Sequence, residues 1–275
     1  MAFSVNTNAS AFVALQNLNK TNQDLATTQE RINTGLKVGS AKDNAAVYAI
    51  AQNLRGDIAG LNAVKGSLDR AISTLDIALA AGEAVSDLLT ELKEKAVSAK
   101  DSGLDTASRD ALNDEFTELR DQITSIVENA EFNGKNLVES GATDVTAITD
   151  ASGNNTITIS AQDLTLGGAI ITLSASQEIS SAAVASTAVQ TISTSASNLD
   201  SALSSLGAGA TRLEIQRDFV GKLSDTIEVG IGNLVDADLA KESATLQALQ
   251  VKQQLGLEAL SIANQSPGAV LSLFN

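Results

Sequence analysis

The sequence, 275 residues long, contains no cysteine and no histidine. Without thiols there is no disulfide, no thiolate nucleophile and no thiolate metal site; without imidazole the commonest metal ligand and general base are missing too. Zinc hydrolysis and Ser-His-Asp catalysis are excluded, and neither a catalytic site, a metal site nor a cofactor is expected. Proline occurs once and aromatic residues make up 3%. Almost nothing therefore interrupts a helix beyond its first turn, and a core has to be built from Leu, Ile, Val and Ala. Basic residues are also scarce, 18 against 33 acidic ones, for a formal charge of −15. Phosphate backbones and anionic lipid require a basic face, so neither nucleic acid nor membrane is an expected partner. No run approaches the roughly 18 apolar residues of a membrane span, and the start shows no basic segment followed by an apolar stretch and cleavage site. Those features fit a cytoplasmic protein, or one that leaves the cell without a cleaved signal.

Apolar residues are plentiful, at 43%, and they are ordered. Val47, Leu54, Leu61, Leu68 and Leu75 recur every seven residues, as do Ile192, Leu199, Leu206, Leu213, Val220, Ile227 and Leu234. Such spacing draws an apolar seam along a helix that needs a partner helix.

Residues 1 to about 35 read as an amphipathic helix with Phe12, Leu15, Leu18, Leu25 and Ile32 on one side, ended by Gly35 and Gly39. Ser40 with Asp43 three residues on resembles an N-terminal capping box, opening a helix that runs to about Lys100. After a turn at Asp101 to Thr106, the steps of four and three from Leu112 through Phe116, Leu119 and Ile123 to Ile126 predict a helix folded back on the preceding one. Gly134 and Gly141 mark exits. Thr156–Ile159 and Ile170–Leu173 are β-branched, with Gly153-Asn154-Asn155 as a turn signal, and predict a small β element. From Glu178 the composition is Ser-, Thr- and Ala-rich, yet the second heptad seam argues for helix to about Leu234. A last helix follows Asp236-Ala237-Asp238, carries Leu246, Leu249, Leu255, Leu257, Leu260 and Ile262, and is ended by Pro267-Gly268.

The expected fold is mainly α, an elongated antiparallel helical bundle or coiled coil with a small β-hairpin element and terminal amphipathic helices. The expected organisation has paired terminal segments at 1–35 and 239–275, a helical domain at 40–140 and 176–234, and a β-rich, solvent-facing excursion at 141–175. Both terminal segments then lie at one pole, with apolar surface that a single chain leaves uncovered. Gly207-Ala208-Gly209 and Gly230-Ile231-Gly232 lack the context of phosphate loops and read as places where helices approach or bend. Asp101, Asp105, Asp110 and Asp114 lack EF-hand spacing and read as a solvated face.

The stretch from Glu30 to Ala46, ERINTGLKVGSAKDNAA, closely resembles the N-terminal signature of bacterial flagellins. At the other end Leu206-Gly207-Ala208, Arg212-Leu213-Glu214, Asp236-Ala237-Asp238-Leu239-Ala240 and Ala263-Asn264-Gln265-Ser266-Pro267 with Val270-Leu271 resemble the C-terminal signature, in the same order. The resemblance covers roughly 1–140 and 180–275. It implies an extracellular structural subunit that polymerises into the flagellar filament for swimming motility, with no enzymatic role. The terminal helices would form the filament core through Phe12, Leu15, Leu18, Leu25, Ile32, Leu246, Leu249, Leu255, Leu260 and Ile262. Leu54, Leu61, Leu68, Leu75, Leu206, Leu213, Val220 and Ile227 would form the subunit's own bundle seam. Copies of itself, the type III export apparatus, an export chaperone, and cap and junction proteins are the implied partners. A hook-filament junction protein, which shares flagellin-like ends, is the alternative. The insert between the arms is too short for large outer domains, implying a minimal form. At the positions where flagellins recognised by the vertebrate Toll-like flagellin receptor carry Arg and Leu before an Ala-Val pair, this chain has Glu91 and Lys95 before Ala96-Val97; Glu115 retains the third position. Weak or absent receptor activation is the expectation.

Overall fold

The computed structural model describes residues 7–271, with side chains described over 7–265. Five helices dominate: α1 (Ala9–Thr34), α2 (Ala45–Ala99), α3 (Thr106–Asn129), α4 (Ala182–Val235) and α5 (Leu239–Leu271). Between α3 and α4 lie two antiparallel strand pairs, β1 (Glu131–Phe132) with β2 (Lys135–Asn136), and β3 (Val145–Ile148) with β4 (Thr156–Ile159). Two compact units result, residues 57–225 and residues 1–56 with 226–275, so α2 and α4 each contribute to both.

In the 57–225 unit the heptad seam becomes the core. Leu61, Leu68 and Leu75 of α2 and Ile192, Leu199, Leu206, Leu213 and Val220 of α4 are buried. Each such side chain contributes about 1.5–3 kcal/mol relative to exposure. Two glycines let the layers meet: a β-carbon at Gly209 would lie 3.0 Å from Ile159 Cδ1, and one at Gly82 would collide with Leu203 Cδ2. The hydroxyl-rich composition of α4 is accommodated locally. Thr187, Thr191, Ser193, Thr194, Ser195, Ser197 and Ser201 each donate their hydroxyl to the carbonyl four residues back, so these groups are satisfied inside the helix.

Helix α3 buries Phe116, Arg120, Ile123 and Val127, whereas the expected Leu112, Leu119 and Ile126 are only half-buried flanks. Arg120 enters that line because its guanidinium is satisfied: Nη1 donates to the carbonyl of Gln177 at 2.8 Å, and Nε and Nη2 donate to Asp121 Oδ1. The turn before α3 is held by charge-assisted bonds. Asp105 caps α3 by accepting from the Ser108 amide at 2.7 Å, and Arg109 donates to the carbonyls of Ala99, Asp101 and Leu104. Two of the four aspartates of that acidic face thus bind backbone amides, Asp101 Oδ1 accepting from the Gly103 amide.

The β region departs from expectation at two points, an absent strand at Ile170–Leu173 and an additional hairpin. β4 is present and pairs with Val145–Ile148 across the Gly153-Asn154-Asn155 turn. Ile171 and Leu173 do alternate inward, fully buried, yet the Thr172 amide donates to Ser195 Oγ of α4 at 3.0 Å and the Leu173 carbonyl accepts from the Gly167 amide. The segment has the side-chain period of a strand without a strand neighbour. The β1–β2 hairpin was not anticipated; Asn133 and Gly134, at φ 51° and 78°, make the two-residue turn that Asn-Gly favours between paired strands.

In the other unit the capping residue differs too. Asp43 Oδ2 accepts from the Gly39 and Ser40 amides and from Ser40 Oγ at 2.9–3.1 Å, closing a turn ahead of the helix. The cap of α2 is Asn44, whose Oδ1 accepts from the Val47 amide. Pro267 does not end the last helix, which continues to Leu271 although an interior proline loses one backbone bond and crowds the carbonyl four residues back.

Candidate functional site

Helices α1 and α5 pair antiparallel along a seam with steps of three and four. From α1 come Ala11, Ala14, Leu18, Thr21, Leu25, Thr28 and Ile32; from α5 come Glu242, Leu246, Leu249, Gln253, Gly256, Leu260 and Ala263, all buried or half-buried. Four contacts fix the register. Asn8 Nδ2 donates to the Ala263 carbonyl at 2.6 Å, Leu18 faces Gly256, Gln253 Nε2 donates to Asn22 Oδ1 at 2.7 Å, and Arg31 Nη1 meets Glu242 Oε1 at 3.3 Å. Small residues at Ala11, Ala14 and Gly256 allow the close approach. Asn8 also caps α1 by accepting from the Ala11 amide, and Gly35, at φ 71°, closes its other end.

At the root of the pair the two linkers clasp each other. The Lys37 and Val38 amides donate to the Val235 carbonyl at 2.7 and 3.2 Å, the Ala237 amide donates to the Gly35 carbonyl at 2.8 Å, and Leu36 bridges Asp236. Val38, Ile231 and Val235 are buried around these bonds, which shields them from water. The neighbouring Asp43 carboxyl is held below the usual aspartate range by its bonds to the backbone and hydroxyl of Ser40.

The ten proposed core residues divide by direction. Leu18 and Leu249, each 7% exposed, are taken up by pairing within the chain, with Leu25, Ile32, Leu246 and Leu260 half-buried beside them. Phe12 (64%), Leu15, Leu255 (64%) and Ile262 (65%) face outward, joined by Val13, Val251 and Leu257. Sequence reading passed over Val13 and Val251 because they fall off the main stripe, although at α5 Val251, Leu255 and Ile262 make a second stripe with steps of four and seven on the side opposite the first. A helix apolar on both sides is suited to burial all round. A shallow groove of about 320 Å³ between the helix ends is lined by Asn8, Ala11, Phe12, Leu15, Leu260 and Asn264.

The bundle seam follows the same division. Its members in the 57–225 unit are buried, whereas Val47, Leu54, Ile227 and Leu234 in the terminal unit are half-exposed, with Ile50 and Val229 exposed nearby. In the 57–225 unit, Lys95 of α2 forms an ion pair with Glu115 of α3, which raises the lysine pKa, and Glu91 one turn earlier is exposed. The three positions singled out by resemblance thus share one surface. Among the described residues no cluster of His, Cys, Asp or Glu could hold a metal ion, and no helix is long and apolar enough to cross a membrane.

Comparison with known proteins identifies the terminal arrangement. The model of the bacterial flagellin N-terminal helical region matches residues 5–143, and that of the bacterial flagellin C-terminal helical region matches residues 189–274. The chain is 51% identical to flagellin FljM of Caulobacter vibrioides over 271 residues, covering 98% of both chains. It is 37% identical to a flagellin of Brucella melitensis over 280 residues, covering 98% of this chain and 99% of that one. A solved structure of a putative flagellar hook-associated protein from Vibrio parahaemolyticus has a TM-score of 0.57 at 14% identity, over 70% of this chain and 100% of that chain, and shows a shared fold alone. None of these findings favours the junction-protein alternative. The chain belongs to the bacterial flagellins.

Proposed function

We infer that this subunit joins the extracellular flagellar filament by burying the outward apolar faces of α1 and α5 against neighbouring copies. The observation that carries the reading is the second apolar stripe of α5, Val251, Leu255 and Ile262, opposite a first stripe already covered by α1. Removing three such side chains from water contributes on the order of 5 kcal/mol per subunit at 1.5–3 kcal/mol each. That offsets part of the cost of ordering terminal helices, about 1–2 kcal/mol per residue. A division of labour follows: 1–35 and 239–275 as filament core, 40–140 and 176–234 as the helical tube, and 141–175 as the solvent-facing excursion. Phe12, Leu15, Leu255 and Ile262 are the contacts between copies, while Leu18 and Leu249 join the two helices of one copy.

The same faces suit export and handling partners that meet the chain before assembly: the export apparatus, a chaperone, and the cap and junction proteins. Receptor recognition is expected to be weak, because Glu91 stands where a basic contact is needed and Lys95, paired with the retained Glu115, stands where an apolar one is. The test is electron microscopy of purified protein after salt-induced assembly, comparing the full chain with forms lacking residues 1–30 or 240–275. The full chain is expected to give filaments and the shortened forms none; filaments from a shortened form would refute the reading.

A further inference from the structure

The asparagines of this chain differ in what holds them. Among the described residues outside the helices, Asn8, Asn44, Asn136, Asn154 and Asn155 each have the side-chain amide in a hydrogen bond. Asn133 alone has none, and it is exposed. It takes the first turn position of the β1–β2 hairpin at φ 51°, a left-handed conformation that asparagine tolerates, and Gly134 follows at φ 78°. The Gly134 amide has no acceptor among the described residues, and no β-carbon shields its nitrogen. Asn154 shows the contrast: its Nδ2 donates to Ser152 Oγ at 3.0 Å, and the amide that follows it, that of Asn155, donates to Asp150 Oδ1 at 3.2 Å. Only two residue pairs hold the β1–β2 hairpin, so its turn can change shape while the helical core stays intact.

Asn133 also lines a cleft of about 220 Å³ together with Arg70 of α2, Lys135 and Asp144. Lys135 Nζ donates to Thr143 Oγ1 at 2.9 Å, and Asp144 Oδ1 accepts from the Ala161 amide at 3.0 Å. The Arg70 guanidinium has no acceptor among the described residues. One other carboxylate is close, Glu131 Oε1, 4.0 Å from where a β-carbon of residue 134 would lie.

We propose that Asn133 is a site of self-modification, at which the side-chain amide is exchanged for a carboxylate that Arg70 receives. The Gly134 amide gives up its proton to hydroxide and its nitrogen attacks Asn133 Cγ. A bond forms between the two, the bond from Cγ to Nδ2 breaks, and the side-chain nitrogen leaves as ammonia with a proton from water, so that a five-membered imide remains. Water then adds to one imide carbonyl and breaks its bond to the ring nitrogen. Opening at Cγ leaves aspartate, and opening at the backbone carbonyl leaves isoaspartate. Water enters and ammonia departs, with no oxidant or reductant. Arg70 and Lys135 favour the negative charge that develops on the imide oxygens as the ring closes and opens. Aspartate tolerates the left-handed turn as asparagine does, so that product keeps the hairpin and ties it to α2 through Arg70. Isoaspartate lengthens the main chain by one methylene inside a two-residue turn and disturbs the Phe132–Lys135 pairing.

The test incubates purified full-length protein in mildly alkaline buffer and follows each asparagine by peptide mass spectrometry, with isoaspartate measured separately from aspartate. Asn133 is expected to convert at least about tenfold faster than Asn154 or Asn155. Arg70→Gln is expected to slow conversion at Asn133 in the folded protein and to leave it unchanged in urea, where the cleft is gone. Gly134→Ala is expected to slow it in both conditions, since a β-carbon then crowds the attacking nitrogen. Circular dichroism matching wild type confirms folding of each variant. Conversion at Asn133 no faster than at Asn154 and Asn155, or a folded Arg70→Gln variant that converts at the wild-type rate, would overturn the proposal. Filament formation is a separate readout, because a subunit unable to assemble still carries the same turn and cleft.

Discussion

Leu18 of α1 lies so close to Gly256 of α5 that a β-carbon at residue 256 would come within 3.2 Å of Leu18 Cδ1. The two helices touch there with only the Leu18 side chain between them. Gly256→Val therefore has to push them apart, at a cost of about 1–3 kcal/mol for overpacking. Loss of filaments is expected, with the far-ultraviolet spectrum of the remaining helices retained; electron microscopy and circular dichroism on one preparation check both.

Leu206 and Leu255 are the same residue type in opposite roles, one 1% and the other 64% exposed. Leu206→Ala leaves a cavity in the 57–225 unit and is expected to lower unfolding stability by about 2–5 kcal/mol. Leu255→Ala is expected to change stability of the free subunit by no more than about 0.5 kcal/mol, as surface substitutions do, while raising the critical concentration for assembly. Urea unfolding and sedimentation on both variants separate the two roles.

Gly60 faces the tip of the β3–β4 hairpin, where a β-carbon would lie 2.8 Å from Ala151 Cβ and 3.0 Å from its carbonyl oxygen. Because the obstacle is largely backbone, Gly60→Ala is expected to lift the hairpin off α2 despite the better helix propensity of alanine. The Ile148 amide, which donates to Ser67 Oγ at 3.1 Å, should then exchange with solvent faster in a hydrogen-exchange measurement.

Asp43, Asp105 and Asp150 all have lowered pKa values, through bonds to Ser40, Ser108 and Ser152 respectively. A carboxyl whose folded pKa lies below its unfolded value stabilises the fold fully above the ordinary aspartate range, about pH 4. That contribution is lost as pH falls through the lowered value. Asp43→Asn removes one such group, so its stability is expected to fall less steeply than wild type below about pH 4 while being lower at pH 7. Thermal unfolding across pH 2–7 reads both.

Much of this was legible in the sequence because it rests on period. The heptads of α2 and α4, the direction of the chain through α3, and the break at Asp236-Ala237-Asp238 need only counting. What was missed depends on partners that period does not name. Ile171 and Leu173 alternate like a strand, but only the position of Ser195 shows that a helix side chain takes the backbone donor. Arg120 reads as a surface residue until the Gln177 carbonyl supplies its acceptor. Asn133-Gly134 was a readable hairpin signal that the flanking two-residue strands were too short to support. Within the terminal helices the leucines were visible, yet which of them face α1 or α5 and which face away depends on the antiparallel register fixed by Asn8, Leu18, Asn22 and Arg31.

The central claim is that the outward stripe of α5 is the contact between copies. It is tested most directly by salt-induced assembly of the full chain carrying Leu255→Asp and Ile262→Asp, viewed by electron microscopy beside wild type. Both sites are exposed in the single chain, so the variant is expected to retain wild-type helicity and form no filaments. Filaments of normal length from the folded variant would contradict the account.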